Sequence, residues 1–330
     1  MNNTDNFRDY LTSSLTNDIF REASISAYRY HLAYNPVYRR FVELIGRSDL
    51  PVNDPEQIPF LPVGLFRDNI VIPEGKKSEI VFSSSTTTGT KPSQHYISDK
   101  SVYLKSLEAS FRFAFGEPAE YIYVALLPSY LERNDSSLVF MMKALMDISK
   151  DKHNGFFLNE YKELSVVLER INKSGKKCIF LGVTFALLDF SAKYPMPLGE
   201  NITLIETGGM KGRSKDIPRK ELHEILCRAF SKKAIAGEYG MTELLSQCYS
   251  LSGGVYRTPP WFRVFARDLH DPFTILKPGE FGALNIIDLA NINSCPFVAT
   301  DDTGIVYDDG KFIVSGRVTS SDIRGCNLMV

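Results

Sequence analysis

The stretch SEIVFSSSTTTGTKPSQHY, residues 78–96, sets a short apolar run against six consecutive hydroxyl residues, a glycine and a lysine. Standing alone, a run of this composition would be a flexible Ser/Thr linker. Its flanks point elsewhere. SEIVF (78–82) has the β-branched, aromatic-ended character of a buried strand, and beyond the loop Ser98 or Asp99 can cap a helix whose Tyr103, Leu107 and Phe111 share one face. A strand that enters a Ser/Thr/Gly loop suits an anion, because backbone N–H groups and hydroxyls converge on it. The run is therefore a candidate phosphate grip. It is not a Walker A loop: Thr90 separates Gly89 from Lys91 and no Gly-Lys-Ser/Thr triplet exists, which removes support for a kinase-type or GTPase-type site.

Downstream, apolar strands alternate with helical stretches. YIYVALLP (121–128), CIFLGVT (178–184) and ITLIET (202–207) read as strands; 136–148, 161–172 and 219–230 read as helices, the last burying Leu222, Ile225, Leu226 and Ala229. This alternation predicts an α/β fold, a largely parallel sheet covered by helices. After residue 251 the texture changes to strands and turns: FRVFARD, FGALNIIDL, GIVY and KFIVSG, the last two joined through an Asp-Asp-Gly turn at 308–310. Upstream, the residues to about 50 read as amphipathic helix, and LPVNDPEQIPFLPVGLF (50–66) carries four prolines and reads as an extended connector. The expected organisation is one unit over 1–330, with a helical segment and connector (1–75), an α/β core bearing nucleotide loops (76–250) and a smaller β-rich lobe (251–330).

A chain of 330 residues that is 44% hydrophobic and 23% charged has ample material for a core, and its net charge of −1 gives no electrostatic reason to expect nucleic acid or an anionic membrane as partner. Five widely spaced cysteines without a CxxC pair fit reduced thiols in a cytoplasmic protein and not a structural zinc. The polar start and the absence of a long apolar run argue against secretion and against a membrane span.

In such sheets ligands sit beyond the carboxyl ends of strands. There, ETGGMKGR (206–213) offers Gly208 and Gly209 for close backbone approach. AGEYGMTELLSQ (236–247), an expected strand-turn-helix, offers Tyr239 as a flat partner, Thr242 as a hydroxyl donor and Glu243 as a carboxylate for Mg²⁺. Read alone, that segment is better explained as a helix start in which Thr242 caps and Glu243 complements the dipole. VATDDTGIV (298–306) places Asp301 and Asp302 before a hairpin, where carboxylates shape a turn or accept ribose hydroxyls. His95 is a donor to carboxylate or phosphate, a gate to an acyl site, or a histidine that stabilises its loop. Trp261 and the methionines of FMMKALM (140–146) read as packing.

Taken in order, the hydroxyl loop, the Gly-Gly loop, Tyr-Gly-Met-Thr-Glu, Thr-Asp-Asp and SGR (315–317) resemble the adenylate-forming superfamily of acyl-CoA synthetases and luciferases. Within it the chain is most similar to the LuxE-type acyl-protein synthetases and the related phenylacetate-CoA ligases. YRYHLAYNPVYRRF (28–41), IPFLPVGLF (58–66) and His95 extend the LuxE resemblance over nearly the whole chain. The resemblance implies that Ser84, Ser85, Thr87, Thr88, Gly89 and Lys91 hold the phosphates of ATP, with Thr86 standing in that loop where the family usually has glycine. It implies that Gly208 and Gly209 line the adenine site, that Tyr239 lies against ring or ribose, and that Thr242 contacts phosphate. Glu243 would bind Mg²⁺ directly or through water. Asp302, two residues after Thr300, matches the ribose-binding aspartate better than Asp301, and Arg317 completes that corner.

The implied activity is attack of a carboxylate, from a fatty or aryl acid, on the α-phosphate of ATP, giving acyl-adenylate and pyrophosphate. The acyl group would pass to a thiol of CoA, of a carrier protein's pantetheine, or of a cysteine of this chain, with an acyl carrier protein or a reductase as partner. Many relatives continue past the SGR hinge into a domain bearing an assisting lysine, whereas this sequence ends 13 residues after Arg317. The lysine's role is then expected to fall to Lys91, Lys211, Arg213 or Arg317, or to go unfilled. Cys326, in RGCNLMV, matches the family's near-terminal acyl-accepting cysteine; read on its own, a cysteine among apolar residues is packed and inert. Two other readings are a CoA ligase completed by a partner subunit and a nucleotide-binding relative without turnover.

Overall fold

Thr16 opens the first helix, α1 (Asn17–Tyr34), by accepting the N–H of Ile19, and Asn35 ends it. Pro36 then sits in the first turn of α2 (Pro36–Leu44), where a missing N–H is harmless. The computed structural model describes residues 15–84, 91–128, 135–208 and 217–318. One face of α1 buries Phe20, Ala23, Ala27, Tyr28 and His31. The proline-rich connector is more ordered than the extended chain expected of it. Two short 3-10 turns, Pro55–Gln57 and Val63–Arg67, flank a two-residue strand, β1 (Leu61–Pro62), which pairs in parallel with the far end of the chain.

The hydroxyl run joins two antiparallel strands, β2 (Ile80–Ser83) and β3 (Gln94–Ile97), with Phe82 opposite His95. The expected strand-to-helix loop is thus a hairpin loop. The helix follows one element later as α3 (Lys100–Phe115), capped by Asp99 and burying Tyr103, Leu107 and Phe111, as the spacing predicts.

The central sheet contains β4 (Ile122–Leu126), β5 (Gly155–Phe157), β6 (Cys178–Gly182), β7 (Ile202–Glu206), β8 (Ala236–Tyr239) and β9 (Cys248–Ser250), in the order β5-β4-β6-β7-β8-β9. All its pairs are parallel except β8 with β9. The connections supply α4 (Ser137–Ser149), α5 (Tyr161–Ser174), α6 (Thr184–Lys193) and α7 (Arg219–Phe230). Every residue of β4 and of β6 is buried, as strands covered on both faces require. In α7 the inward residues are Leu222, Leu226 and Phe230, while Ile225 and Ala229 are half-buried.

A second, antiparallel sheet is made by β10 (Val255–Tyr256), β11 (Phe262–Arg267), β12 (Phe281–Asp288), β13 (Phe297–Val306) and β14 (Phe312–Arg317), in the order β10-β14-β13-β12-β11, with β1 added on β13. The expected turn lies between β13 and β14, with Gly310 at φ 76°. No helix among the described residues is long and apolar enough to cross a membrane.

Candidate active site

A cleft of about 460 Å³ opens where the carboxyl ends of β7 and β8 meet the hydroxyl hairpin and the second sheet. Of the residues anticipated from the sequence, Ser84 and Lys91 reach it from the hairpin and Gly208 from the loop after β7. Thr242 and Glu243 reach it from the turn after β8, and Asp302 and Arg317 from β13 and β14. Ser85, Thr86, Thr87, Thr88, Gly89, Gly209 and Cys326 lie outside the described residues, as do Lys211 and Arg213.

The turn after β8 does not start a helix. The N–H groups of Leu245 and Ser246 both donate to Asp288 Oδ2 at 2.9 Å, and the Ser246 hydroxyl donates to Oδ1 at 2.7 Å. Those tertiary bonds satisfy the backbone that a helix would have used, so Thr242 caps nothing and the chain turns back into β9. Behind the turn stands His95, fully buried, with Nδ1 2.7 Å from the Thr242 carbonyl and Nε2 3.0 Å from Asn291 Oδ1. Asn291 Nδ2 donates to the carbonyls of Glu243 (2.8 Å) and Cys295 (2.9 Å). Burial pulls the His95 pKa down to about 4, against the two oxygen acceptors that favour its proton. His95 is therefore a buried prop that fixes the Thr242–Glu243 backbone.

Burial also raises the Glu243 carboxyl above its ordinary value, opposed by its own N–H, the Ser93 hydroxyl and Arg317. Asp302 is held in a second way. Its Oδ2 accepts the Tyr239 hydroxyl at 2.9 Å, its Oδ1 lies 3.2 Å from Arg317 Nε, and its N–H reaches Thr300 Oγ1. The Tyr239 ring packs on Phe312 and Tyr256, at centroid distances of 5.2 and 5.7 Å. Tyr239 thus orients Asp302 from behind instead of walling the cleft. Arg317, 77% exposed, is steered toward Asp302 without adding much stability, and the exposed Lys91–Asp68 pair at 3.3 Å is equally weak. Gly208 needs its glycine: its φ is 78°, and both its N–H, to Glu206, and its carbonyl, from Thr184, are engaged.

Comparison with known proteins finds a long-chain-fatty-acid–luciferin-component ligase of Vibrio harveyi, 26% identical over 92% of this chain and 84% of that protein. Its namesake from Aliivibrio fischeri is 24% identical over 85% of the chain and 77% of its own length. Over most of its length the chain is similar to these two ligases. No family model matches it. The fold is that of the N-terminal domain of adenylate-forming enzymes. A 2-hydroxyisobutyryl-CoA ligase structure superposes with a TM-score of 0.63 at 12% identity, covering 92% of this chain and 68% of that one. ATP-bound MatB from Rhodopseudomonas palustris gives 0.54 at 14% identity, over 72% of this chain and 47% of its own, so the chain spans about half the length of that protein.

The cleft also contains residues that the motifs did not reveal. Arg67, Ser93, Ser136 and Glu238 line it, as does Met141, which is otherwise packed beside the core residue Met142. Asp288 and Asn291 shape it from behind; their signal in the sequence is the placing of polar residues inside the apolar run NIIDLANINS (285–294). Trp261 is buried as expected, and its Nε1 donates to the Ser246 hydroxyl at 2.9 Å, tying it to the same turn.

Proposed function

We propose that the chain activates a carboxylic acid with ATP as an acyl-adenylate and passes the acyl group to a thiol, as a LuxE-type acyltransferase. The observation that carries this reading is the convergence of Glu243 with the Tyr239–Asp302–Arg317 corner on one cleft beyond parallel strands. The relatives' names, ligases of long-chain fatty acids, support the acid-activating part. The donor set fits a nucleotide triphosphate. Hydroxyls of Ser84 and Thr242 offer hydrogen bonds to phosphate oxygens, Arg67 and Lys91 offset their charge, and Asp302 accepts from ribose hydroxyls.

No cluster of three or more metal-ligating side chains occurs among the described residues, and one buried carboxylate, Glu243, faces the cleft at the turn. That arrangement fits Mg²⁺, which takes one or two carboxylates and fills its shell with phosphate and water. When bound, the ion screens the repulsion between the acid and the triphosphate. One oxygen of the substrate carboxylate attacks the α-phosphorus and the bond to pyrophosphate breaks. A thiolate then attacks the acyl carbonyl carbon and AMP departs with the electron pair of the C–O bond. The thiol belongs to CoA, to a carrier protein's pantetheine or to Cys326, with an acyl carrier protein or reductase as cytoplasmic partner. Of the four cations considered for the assisting lysine's role, Lys91 and Arg317 are among the described residues and line the cleft.

The test is carboxylate-dependent exchange of labelled pyrophosphate into ATP, over acids from acetate to palmitate and aryl acids. Glu243→Ala is expected to lower the exchange rate on the order of a hundredfold. Exchange that ignores both the acid and Glu243 overturns the reading.

A further inference from the structure

Successive side chains along β8 point to opposite faces. Tyr239 turns toward Phe312, Tyr256 and Asp302, so its face carries the corner assigned above to the nucleotide. Glu238 points the other way, where its charge acts on Tyr103 and Tyr249, and it lines the same cleft. The residue is 9% exposed, and among the described residues nothing donates a hydrogen bond to its carboxyl and no cation pairs with it. The charged group that acts on it is another carboxylate, Glu206, already occupied by the Thr184 hydroxyl and the Gly208 N–H. Gly240 keeps the space beside it open: a Cβ there would lie 2.5 Å from Glu238 Oε1.

Two further polar groups at this cleft lack partners. Gln247, 6% exposed, has an unpaired Oε1, and its Nε2 makes one long bond, 3.4 Å, to the Leu245 carbonyl. The Thr207 hydroxyl is buried and unpaired as well. Buried polar groups are normally satisfied, so the Gln247 oxygen and the Thr207 hydroxyl cost the fold free energy, while the Glu238 carboxyl, which opens on the cleft, is left to water. A plain alkyl chain laid against Glu238 and Gln247 would seal them from water and deepen that cost. A ligand with hydrogen-bond donors would remove it.

We propose that this end of the cleft selects a carboxylic acid whose acyl part carries a hydrogen-bond donor, an amino or a hydroxyl group, seated against Glu238 and Gln247. The inference rests on the acid-activating reading of the same cleft. Burial, with Glu206 adding to it, raises the Glu238 carboxyl to about 8. Near neutral pH it can therefore meet an ammonium as a carboxylate or share a hydrogen bond with a hydroxyl as the neutral acid.

The experiment compares matched acids of equal chain length, unsubstituted, hydroxylated and aminated, in the pyrophosphate exchange assay. Wild type, Glu238→Gln and Glu238→Leu are run side by side, and binding of each acid is followed separately by its shift of the melting temperature. Wild type is expected to favour a donor-bearing acid by about tenfold or more in kcat/KM, and Glu238→Leu to erase or reverse that preference. Glu238→Gln is expected to spare hydroxy acids and to penalise amino acids, which tells the two donors apart. If wild type favours the unsubstituted acids and Glu238→Leu leaves the ranking unchanged, the proposal is overturned while the adenylation reading stands. If no acid supports exchange, that reading fails, and the melting shifts decide the proposal: stabilisation by donor-bearing acids that Glu238→Leu abolishes supports it, and none overturns it.

Discussion

Glu238 and Asp288 are both buried carboxyls in opposite circumstances, the first opening on the cleft and the second fully enclosed. Asp288 receives the N–H groups of Leu245, Ser246 and Ala290 and the Ser246 hydroxyl, which oppose the upward push that burial gives its pKa. Glu238 receives no such bond among the described residues. Replacing Asp288 with alanine strands those buried donors, and a stability loss of about 3 kcal/mol or more is expected in urea unfolding. Glu238→Gln should do the reverse. The raised carboxyl binds its proton more tightly in the folded chain, so the stability it lends is full below the ordinary carboxylate value of about 4.3 and is lost as pH rises through about 8. Melting temperatures recorded at pH 5 and pH 8 should fall less over that interval in the Gln variant than in wild type; equal slopes would remove Glu238 as the cause.

Elements were legible in the sequence where local and tertiary demands agree. The apolar runs of β4 and β6 announce strands buried on both faces, and α7 begins and ends where its spacing says. Asp99→Ala should accordingly cost about 1 kcal/mol, the worth of an N-cap, in the same unfolding assay. Several short strands were not legible, nor was the turn after β8. β3 is only four residues long and its QHYI alternation is too short to separate from loop. The turn after β8 carries helical spacing, yet its N–H groups go to a carboxylate 43 residues away, a partner that no local window contains. The candidate site divides along the same line. Glu243, Asp302 and Arg317 sit in short motifs and could be named from them, whereas Asp288, Asn291 and Glu238 matter through burial and distant partners, which the linear order does not display.

Across the whole molecule, the cysteines sort themselves by access. Cys178, Cys248 and Cys295 are buried free thiols whose pKa is pushed up by burial, to about 12 for Cys295, and Cys227 is half-buried. Of the five cysteines in the chain, alkylation of the native protein should therefore reach at most Cys227 and Cys326, while the unfolded chain takes label at all five. If Cys326 carries the acyl group, incubation with ATP and acid should protect it and leave Cys227 unchanged, as peptide mass mapping would read. The parallel pairing of Leu61 with Val298 has a different reach. Asn35 donates to the carbonyl of Ser294, 259 residues further on, and the Ser294 hydroxyl closes back on Val71. The early helices with their apolar faces thus leave the ribosome long before the surface that completes their packing has been translated. At ordinary elongation rates that interval is on the order of tens of seconds. The nascent chain must pass it with α1 and α2 unsheltered, so its yield in a cell depends on what shields them meanwhile as much as on the stability of the finished fold.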